Sequence, residues 1–218
     1  MTTAIIVLAA GQGTRMASDR PKVLHQIAHA PLLHHVMRAA AALNPARTVI
    51  VIGNGAESVA DSARALDPRA ETALQTERLG TAHAVAQARP ALAGFEGDAV
   101  VLYGDTPFVR PETLQAMRNA RSDGAAVVVL GFEAADPTGY GRLITGADGA
   151  LEAIVEHKDA SDAQRSITLC NSGVACADAP TLFSLVAAVG HDNANGASYL
   201  PDIVAIATAR ALSCPTLT

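Results

Sequence analysis

Apolar residues in this chain come in short, unbroken runs separated by polar, glycine-bearing joints. The runs at 4–8 (Ala4-Ile5-Ile6-Val7-Leu8), 47–52 and 99–103 are rich in β-branched residues and do not alternate with polar ones. That pattern belongs to strands of a parallel sheet covered on both faces. A shorter run at 71–75 reads as a further strand. Between these runs, residues 31–43, 56–66 (ended by Asp67-Pro68) and 81–88 read as helices, with Gly80-Thr81 as the capping turn of the last. Strands alternating with helices imply right-handed crossovers, hence an α/β, Rossmann-like, doubly wound and mostly parallel sheet. The second half differs. A strand is expected at 125–132, then a hairpin of 140–144 with 151–156 around Gly146-Ala147-Asp148-Gly149, a strand at 167–175, and helices at 179–189 and 199–211. This half is expected to add a small antiparallel lobe. No linker or internal repeat divides the chain.

Composition narrows the classes. At 218 residues the chain suits one domain with a substantial core, and with half its residues hydrophobic and 17% charged it is globular. Tryptophan is absent, so Ala, Val, Leu and Ile must fill the core. A net charge of −5 argues against a general nucleic-acid binder. Anionic ligands would have to be held by local positive charge. Cys170, Cys176 and Cys214 show no paired spacing and are expected as buried, reduced thiols. No basic region precedes the first apolar run, and no run reaches the roughly 20 residues that span a bilayer. A soluble, cytoplasmic protein is expected, without membrane or nucleic-acid partners.

Candidate chemistry begins where the first strand meets Leu8-Ala9-Ala10-Gly11-Gln12-Gly13-Thr14-Arg15-Met16, followed by Pro21-Lys22-Val23-Leu24-His25. A strand feeding a glycine loop presents backbone N–H groups to phosphate. Gly11 and Gly13 permit φ > 0 and close approach. Arg15 and Lys22 supply a planar fork and a point charge. Two familiar phosphate loops do not fit: no Gly-Lys-Ser/Thr is present, and Met16 stands where the dinucleotide fingerprint needs its third glycine. Asp105, just after the 99–103 run, lies where open α/β sheets bind ligands. From its position it is a turn cap before Thr106-Pro107 or a Mg²⁺ ligand. Gln75, Gly80 and Thr81 read on their own as an ordinary strand–turn–helix, and Gly141, Glu156 and Asn171 as a hairpin glycine, a surface charge and a turn amide. His34 and His35 are adjacent and point to different helix faces, so they do not share an ion.

Taken together, the glycine loop, Pro21-Lys22 and the extension Met16-x-Ser18-x-x-Pro21-Lys22-Val23-Leu24-His25 resemble the signature of sugar-nucleotide pyrophosphorylases. The likeness is to the branch that makes UDP-N-acetylglucosamine, the uridyltransferase domain of bacterial bifunctional N-acetylglucosamine-1-phosphate uridyltransferases. The resemblance implies a nucleotide-diphospho-sugar transferase fold with an antiparallel sugar-binding lobe. It implies Mg²⁺-dependent transfer of uridylyl from UTP to N-acetylglucosamine 1-phosphate, a step in making peptidoglycan and lipopolysaccharide precursors. Arg15 and Lys22 would be catalytic. Leu8, Ala9, Ala10, Gly11, Gly13, Lys22, Gln75, Gly80, Thr81, Tyr103, Gly104, Asp105, Gly141, Glu156 and Asn171 would bind substrate. Within that set, Gln75 with Gly80-Thr81 would read the uracil edge, Asp105 would hold the metal, and Gly139-Tyr140-Gly141-Arg142, Glu156 and Asn171 would meet the sugar. Tyr199-Leu200-Pro201-Asp202 also matches, with Asp202 expected only as a first-turn helix residue.

The family continues with an asparagine that shares the metal, a linker arm and a left-handed β-helix acetyltransferase through which it oligomerises. This sequence ends at Thr218 without hexapeptide repeats, so residues 1–218 are expected to be the nucleotidyltransferase domain alone, without acetyltransferase activity. The alternatives are a relative using another sugar or nucleotide, which substrate competition separates, and a non-catalytic nucleotide-binding module.

Overall fold

The first strand, β1 (Thr3–Ala9), is buried along its whole length, and its side chains divide by parity. Ala4, Ile6 and Leu8 enter one core, while Ile5, Val7 and Ala9 enter another on the opposite face. A strand with two buried faces is the central strand of a layered α/β sheet, which is how the apolar run reads. The structure is a computed structural model and describes residues 1–11, 13, 16, 18–53, 56–147, 149–190 and 197–218.

After the glycine loop come a small hairpin, β2 (Gln26–Ile27) and β3 (Ala30–Pro31), and helix α1 (Leu32–Ala41). The alternating half follows as β4 (Arg47–Gly53), α2 (Glu57–Leu66), β5 (Glu71–Gln75), α3 (Thr81–Gln87), β6 (Asp98–Tyr103) and α4 (Pro111–Ser122). The second half comprises β7 (Val127–Glu133), β8 (Arg142–Thr145), β9 (Leu151–Val155), α5 (Asp162–Arg165), β10 (Leu169–Asp178), α6 (Ala179–Val186), α7 (Asp202–Ala209) and β11 (Thr216–Leu217).

The main sheet has the order β11-β7-β10-β6-β1-β4-β5, with the β8–β9 hairpin attached to β10. Strands β6, β1, β4 and β5 are parallel, β10 runs antiparallel to both β6 and β7, and β11 is parallel to β7. Helices α1, α2 and α4 cover one face through residues such as Val36, Val59 and Met117. Helices α3, α6 and α7 cover the other through Val85, Leu182 and Ile203. From β1 the chain crosses to β4 on one side and returns to β6 on the other, so the carboxyl ends of β1 and β6 form a topological switch point.

The expected architecture is therefore present, with specific differences. The hairpin of the second half is continuous with the main sheet through the pairing of Arg142 with Cys170. Helix α4 had no counterpart in the hydrophobic pattern. The strand expected at 167–175 extends to Asp178, and its register with β7 shifts between Asn171 and Ala175. The helix expected from residue 199 starts at Asp202, preceded by tight turns in which Asp202 N–H and Ile203 N–H donate to Tyr199 O and Leu200 O, each at 3.1 Å. Thr81 does not cap α3 through its side chain. Its hydroxyl instead accepts the Leu200 N–H at 2.8 Å, tying the two helix entrances together. The three cysteines are buried and free, and burial pushes the Cys176 thiol up to about 12. None of the described helices is long and apolar enough to cross a membrane.

Candidate active site

At the switch point the carboxyl end of β1 and the end of β6 stand side by side, Leu8 paired with Tyr103. A cavity of about 260 Å³ opens over them. It is lined by Leu8, Ala10 and Gly11 from the first strand and its loop, by Lys22, by Gln75, Gly80 and Thr81 at the entrance of α3, and by Tyr103 and Asp105. A second cavity of about 300 Å³ adjoins it and shares Thr81 and Tyr103 as a common wall. Gly141, Glu156 and Asn171 line that second space. A larger cavity of about 400 Å³ lies between the ends of α1 and α2 beside Thr48. It opens at the opposite end of the parallel strands from the switch point, and Asp67 offsets its Arg69 at 3.2 Å.

Most of the residues singled out from sequence thus fall on two joined cavities. Three stand differently. Ala9 faces the α1–α2–α4 core, and Gly104 packs under the loop, where a Cβ would lie 3.0 Å from Val23 Cγ1. Gly13 has φ +62, and a Cβ on it would stand 2.7 Å from Lys22 Cβ, so only a glycine lets the backbone at this position lie against the lysine. Arg15 lies outside the described residues. Arg78, which the sequence reading passed over, also lines the first cavity. Its only signal was a basic residue inside the Gln75–Gly80 turn.

Local geometry explains each placement. Gly80 has φ +100, and a Cβ there would meet the Ser198 carbonyl oxygen at 2.2 Å. The 79–82 turn is stitched to that segment by Ser198 N–H to Leu79 O at 2.7 Å and Ala82 N–H to Ser198 O at 2.9 Å. Gln75 Nε2 donates to Gly80 O at 3.1 Å and lies 3.1 Å from His83 Nδ1, which turns the amide nitrogen toward the 80–83 turn. The register shift in β10 falls beside the second cavity, where Asn171 Oδ1 accepts the Gly173 N–H at 2.9 Å. Gly173, at φ +87, lies against the ring of Tyr103; a Cβ would come within 2.6 Å of it.

Electrostatics separate the two spaces. Lys22 Nζ donates to Asp105 Oδ2 at 2.5 Å, an ion pair open to the first cavity. Burial, with the charges of Glu156 and Asp105 adding to it, pushes the Tyr103 phenol up to about 12, although its hydrogen bond with Thr81 acts the other way. Tyr103 is therefore a neutral hydroxyl between two carboxylates. Burial also raises the Glu156 carboxyl above its ordinary value against the pull of Lys158. The Lys158 ammonium sits 5.5 Å from the Tyr199 ring centroid, and both residues line the second cavity. Among the described residues no group of three His, Cys, Asp or Glu side chains could enclose a metal. A single carboxylate, Asp105, opening on the first cavity is still compatible with a divalent cation, since such ions can be held by one or two carboxylates together with a ligand's own oxygens.

The solved structures similar to this one include a UDP-glucose pyrophosphorylase complexed with UDP-glucose (TM-score 0.80, 20% identity, 96% of this chain and 88% of that one). An inositol-1-phosphate CTP transferase from T. maritima matches with TM-score 0.80 at 16% identity, over 99% of this chain and 85% of that one. Both share the fold. Curated relatives are far nearer in sequence. The "Bifunctional protein GlmU" of Cereibacter sphaeroides (strain ATCC 17025 / ATH 2.4.3) is 61% identical over 212 residues, covering 97% of this chain and 46% of that protein. The protein of the same name from Ruegeria sp. (strain TM1040) is 59% identical over 220 residues, covering 99% of this chain and 49% of that protein. The chain spans about half the length of the curated relatives it matches. The MobA-like NTP transferase domain matches residues 5–172, from the first buried strand to the asparagine-bearing bulge that borders the second cavity, and the chain belongs to that family.

Proposed function

We propose that residues 1–218 form one nucleotidyltransferase domain that transfers uridylyl from UTP to N-acetylglucosamine 1-phosphate, giving UDP-N-acetylglucosamine and pyrophosphate. The observation that carries this reading is the pair of joined cavities. One is built for a nucleoside triphosphate: glycine-loop backbone, a lysine and a carboxylate at the switch point, and a carboxamide at the far end. The other offers Glu156 and the Asn171 amide to sugar hydroxyls, and the two meet at Tyr103. The relatives' name and identity support the same reading.

In the step proposed, an oxygen of the sugar phosphate forms a bond to the α-phosphorus of UTP. The bond from that phosphorus to the oxygen leading to the β-phosphorus breaks, and pyrophosphate leaves with the electron pair. No protein nucleophile is needed; the work is positioning and charge stabilisation. The backbone of Gly11 and Gly13 holds the departing phosphates. Arg15, outside the described residues, is assigned to them on the sequence reading alone. Lys22 lies against the α-phosphate, where a phosphate oxygen gives it an acceptor beside Asp105. Gln75 offers its carboxamide oxygen to the imide N–H of uracil. Asp105, with the phosphates, would hold Mg²⁺, which offsets charge on the phosphate oxygens.

The test is pyrophosphate release. It should require UTP, N-acetylglucosamine 1-phosphate and Mg²⁺ together, and fall about a hundredfold or more in Asp105→Ala. Saturable UTP binding without release would replace the transferase by a nucleotide-binding module. Release with another sugar phosphate in preference would replace the substrate.

A further inference from the structure

Among the described residues Arg142 is the largest fully buried side chain, 1% exposed, and no carboxylate among them forms an ion pair with it. Its guanidinium is spent on neutral acceptors. Nη1 donates to the Tyr140 carbonyl, and Nη2 donates at 3.2 Å both to His157 Nδ1 and to the Arg165 carbonyl. Nε finds no partner among the described residues. Arginine has no acceptor, so the Nδ1 of His157 must be the accepting nitrogen. Arg165 closes the ring by donating from Nε to the His157 carbonyl at 3.3 Å.

Where this cluster lies matters more than its burial. Arg142 pairs across β8 with Val155 on one side and with Cys170 on the other. The residues one step along each strand are Gly141, Glu156 and Asn171, and all three line the second cavity. Asn171 N–H donates to Gly141 O at 2.8 Å, and a Cβ on Gly141 would stand 3.3 Å from Glu156 Oε1. Successive strand residues face opposite sides of a sheet. The cavity row therefore lies on one side, and the row headed by Arg142 lies directly behind it. The carbonyl of Tyr140 and the imidazole of His157 flank Gly141 and Glu156 in sequence. A single planar fork thus clamps the two lips of the cavity from behind.

We infer that Arg142 is the positioning residue of the second cavity, setting the spacing of Gly141, Glu156 and Asn171 for the sugar without touching it. A guanidinium suits this role because its fixed fork reaches acceptors on separate segments at once, which a lysine ammonium cannot do with the same geometry. Removing it leaves three part-buried acceptors without the donor that links them and loosens the hold between the two lips.

The inference rests on the sugar reading of the second cavity, and the experiment separates the two. The affinities of UDP and of UDP-N-acetylglucosamine are measured by calorimetry for the wild type, Arg142→Met, Arg142→Lys and His157→Phe. The sugar advantage is the ratio of the two dissociation constants. In the wild type the sugar should tighten binding. Arg142→Met should reduce that advantage about tenfold while UDP affinity stays within twofold, and Arg142→Lys should restore part of it. His157→Phe removes only one acceptor and should cause a smaller loss in the same direction, which keeps the test open if Arg142→Met does not fold. A wild type without sugar advantage would overturn the sugar reading and this inference with it. A wild-type advantage that the variants retain, or a parallel loss of UDP affinity, would overturn the inference alone.

Discussion

Glu156 pairs a position on the second cavity, where it is proposed to meet the sugar, with a cost in stability. Burial raises its carboxyl above the ordinary glutamate value, with Asp159 and Asp202 adding to the shift and Lys158 opposing it. A carboxyl raised in the folded state favours folding while protonated. That contribution is present below the ordinary glutamate pKa and is lost as pH rises through the interval up to the raised value. Glu156→Gln should therefore melt higher than the wild type at neutral pH, with the gain vanishing in acid, while the KM for the sugar phosphate rises about tenfold. Melting curves across pH, set beside KM values for both substrates, check the two halves together. Gly173 is constrained by neighbours instead of charge. At φ +87, and with a Cβ 2.6 Å from the Tyr103 ring, Gly173→Ala should cost about 1–3 kcal/mol in denaturant unfolding and weaken both substrates, since Tyr103 walls both cavities. Asn171-Ser172-Gly173 was visible in sequence as a polar turn. That the glycine exists for a tyrosine far away in the chain was not, because the demand comes from packing across β10 and β6.

Helix α4 shows where pattern reading stops at the scale of elements. Only Leu114 and Met117 are buried along its twelve residues, too thin a stripe to stand out among polar neighbours. Pro111 at its first turn and Glu112 beside it are start signals that become meaningful once the sheet beneath is known. The helix is pinned at its other end. Arg121 Nε donates to Asp98 Oδ1 at 3.0 Å with Asp98 1% exposed, and Arg121 Nη1 donates to the Ala125 carbonyl. This joins the end of α4 to the start of β6, the strand that carries Tyr103 at its other end. Breaking one partner of a buried pair leaves the other uncompensated, so Asp98→Ala should cost about 3–5 kcal/mol in urea unfolding. A double variant, Asp98→Ala with Arg121→Met, should recover part of that loss. The pattern reading passes over the short α5 as well, although its capping box, Ser161 with Gln164, is a start signal present in the sequence.

At the scale of the molecule, a chain of net charge −5 is proposed to bind two phosphorylated substrates, so local charge must do what the overall field does not. Lys22 and Arg78 at the first cavity and Lys158 at the second are placed for this. Binding then couples to stability. UTP with Mg²⁺ at a hundredfold its dissociation constant should stabilise the fold by about 2.7 kcal/mol, or roughly 5–10 °C in midpoint for a chain of this size. Asp105→Asn should abolish the part of that rise that a chelator removes. A rise insensitive to Mg²⁺ would remove Asp105 from the metal.

The alternation of buried runs with helices, the glycine loop, Lys22 and Asp105 are legible in the residues, because strand burial and glycine conformation are local properties that leave local marks. The joining of two cavities through Tyr103 and Thr81 is not, nor is the anchoring of α3 to the entrance of α7, nor the placing of Arg142 behind the row of Gly141, Glu156 and Asn171. Each depends on residues brought together by crossovers and by the antiparallel insertion of β10 between β6 and β7. Register across strands is set by the packing of whole faces. A run of residues can announce a strand, but which side chain stands opposite which is decided only when the sheet closes.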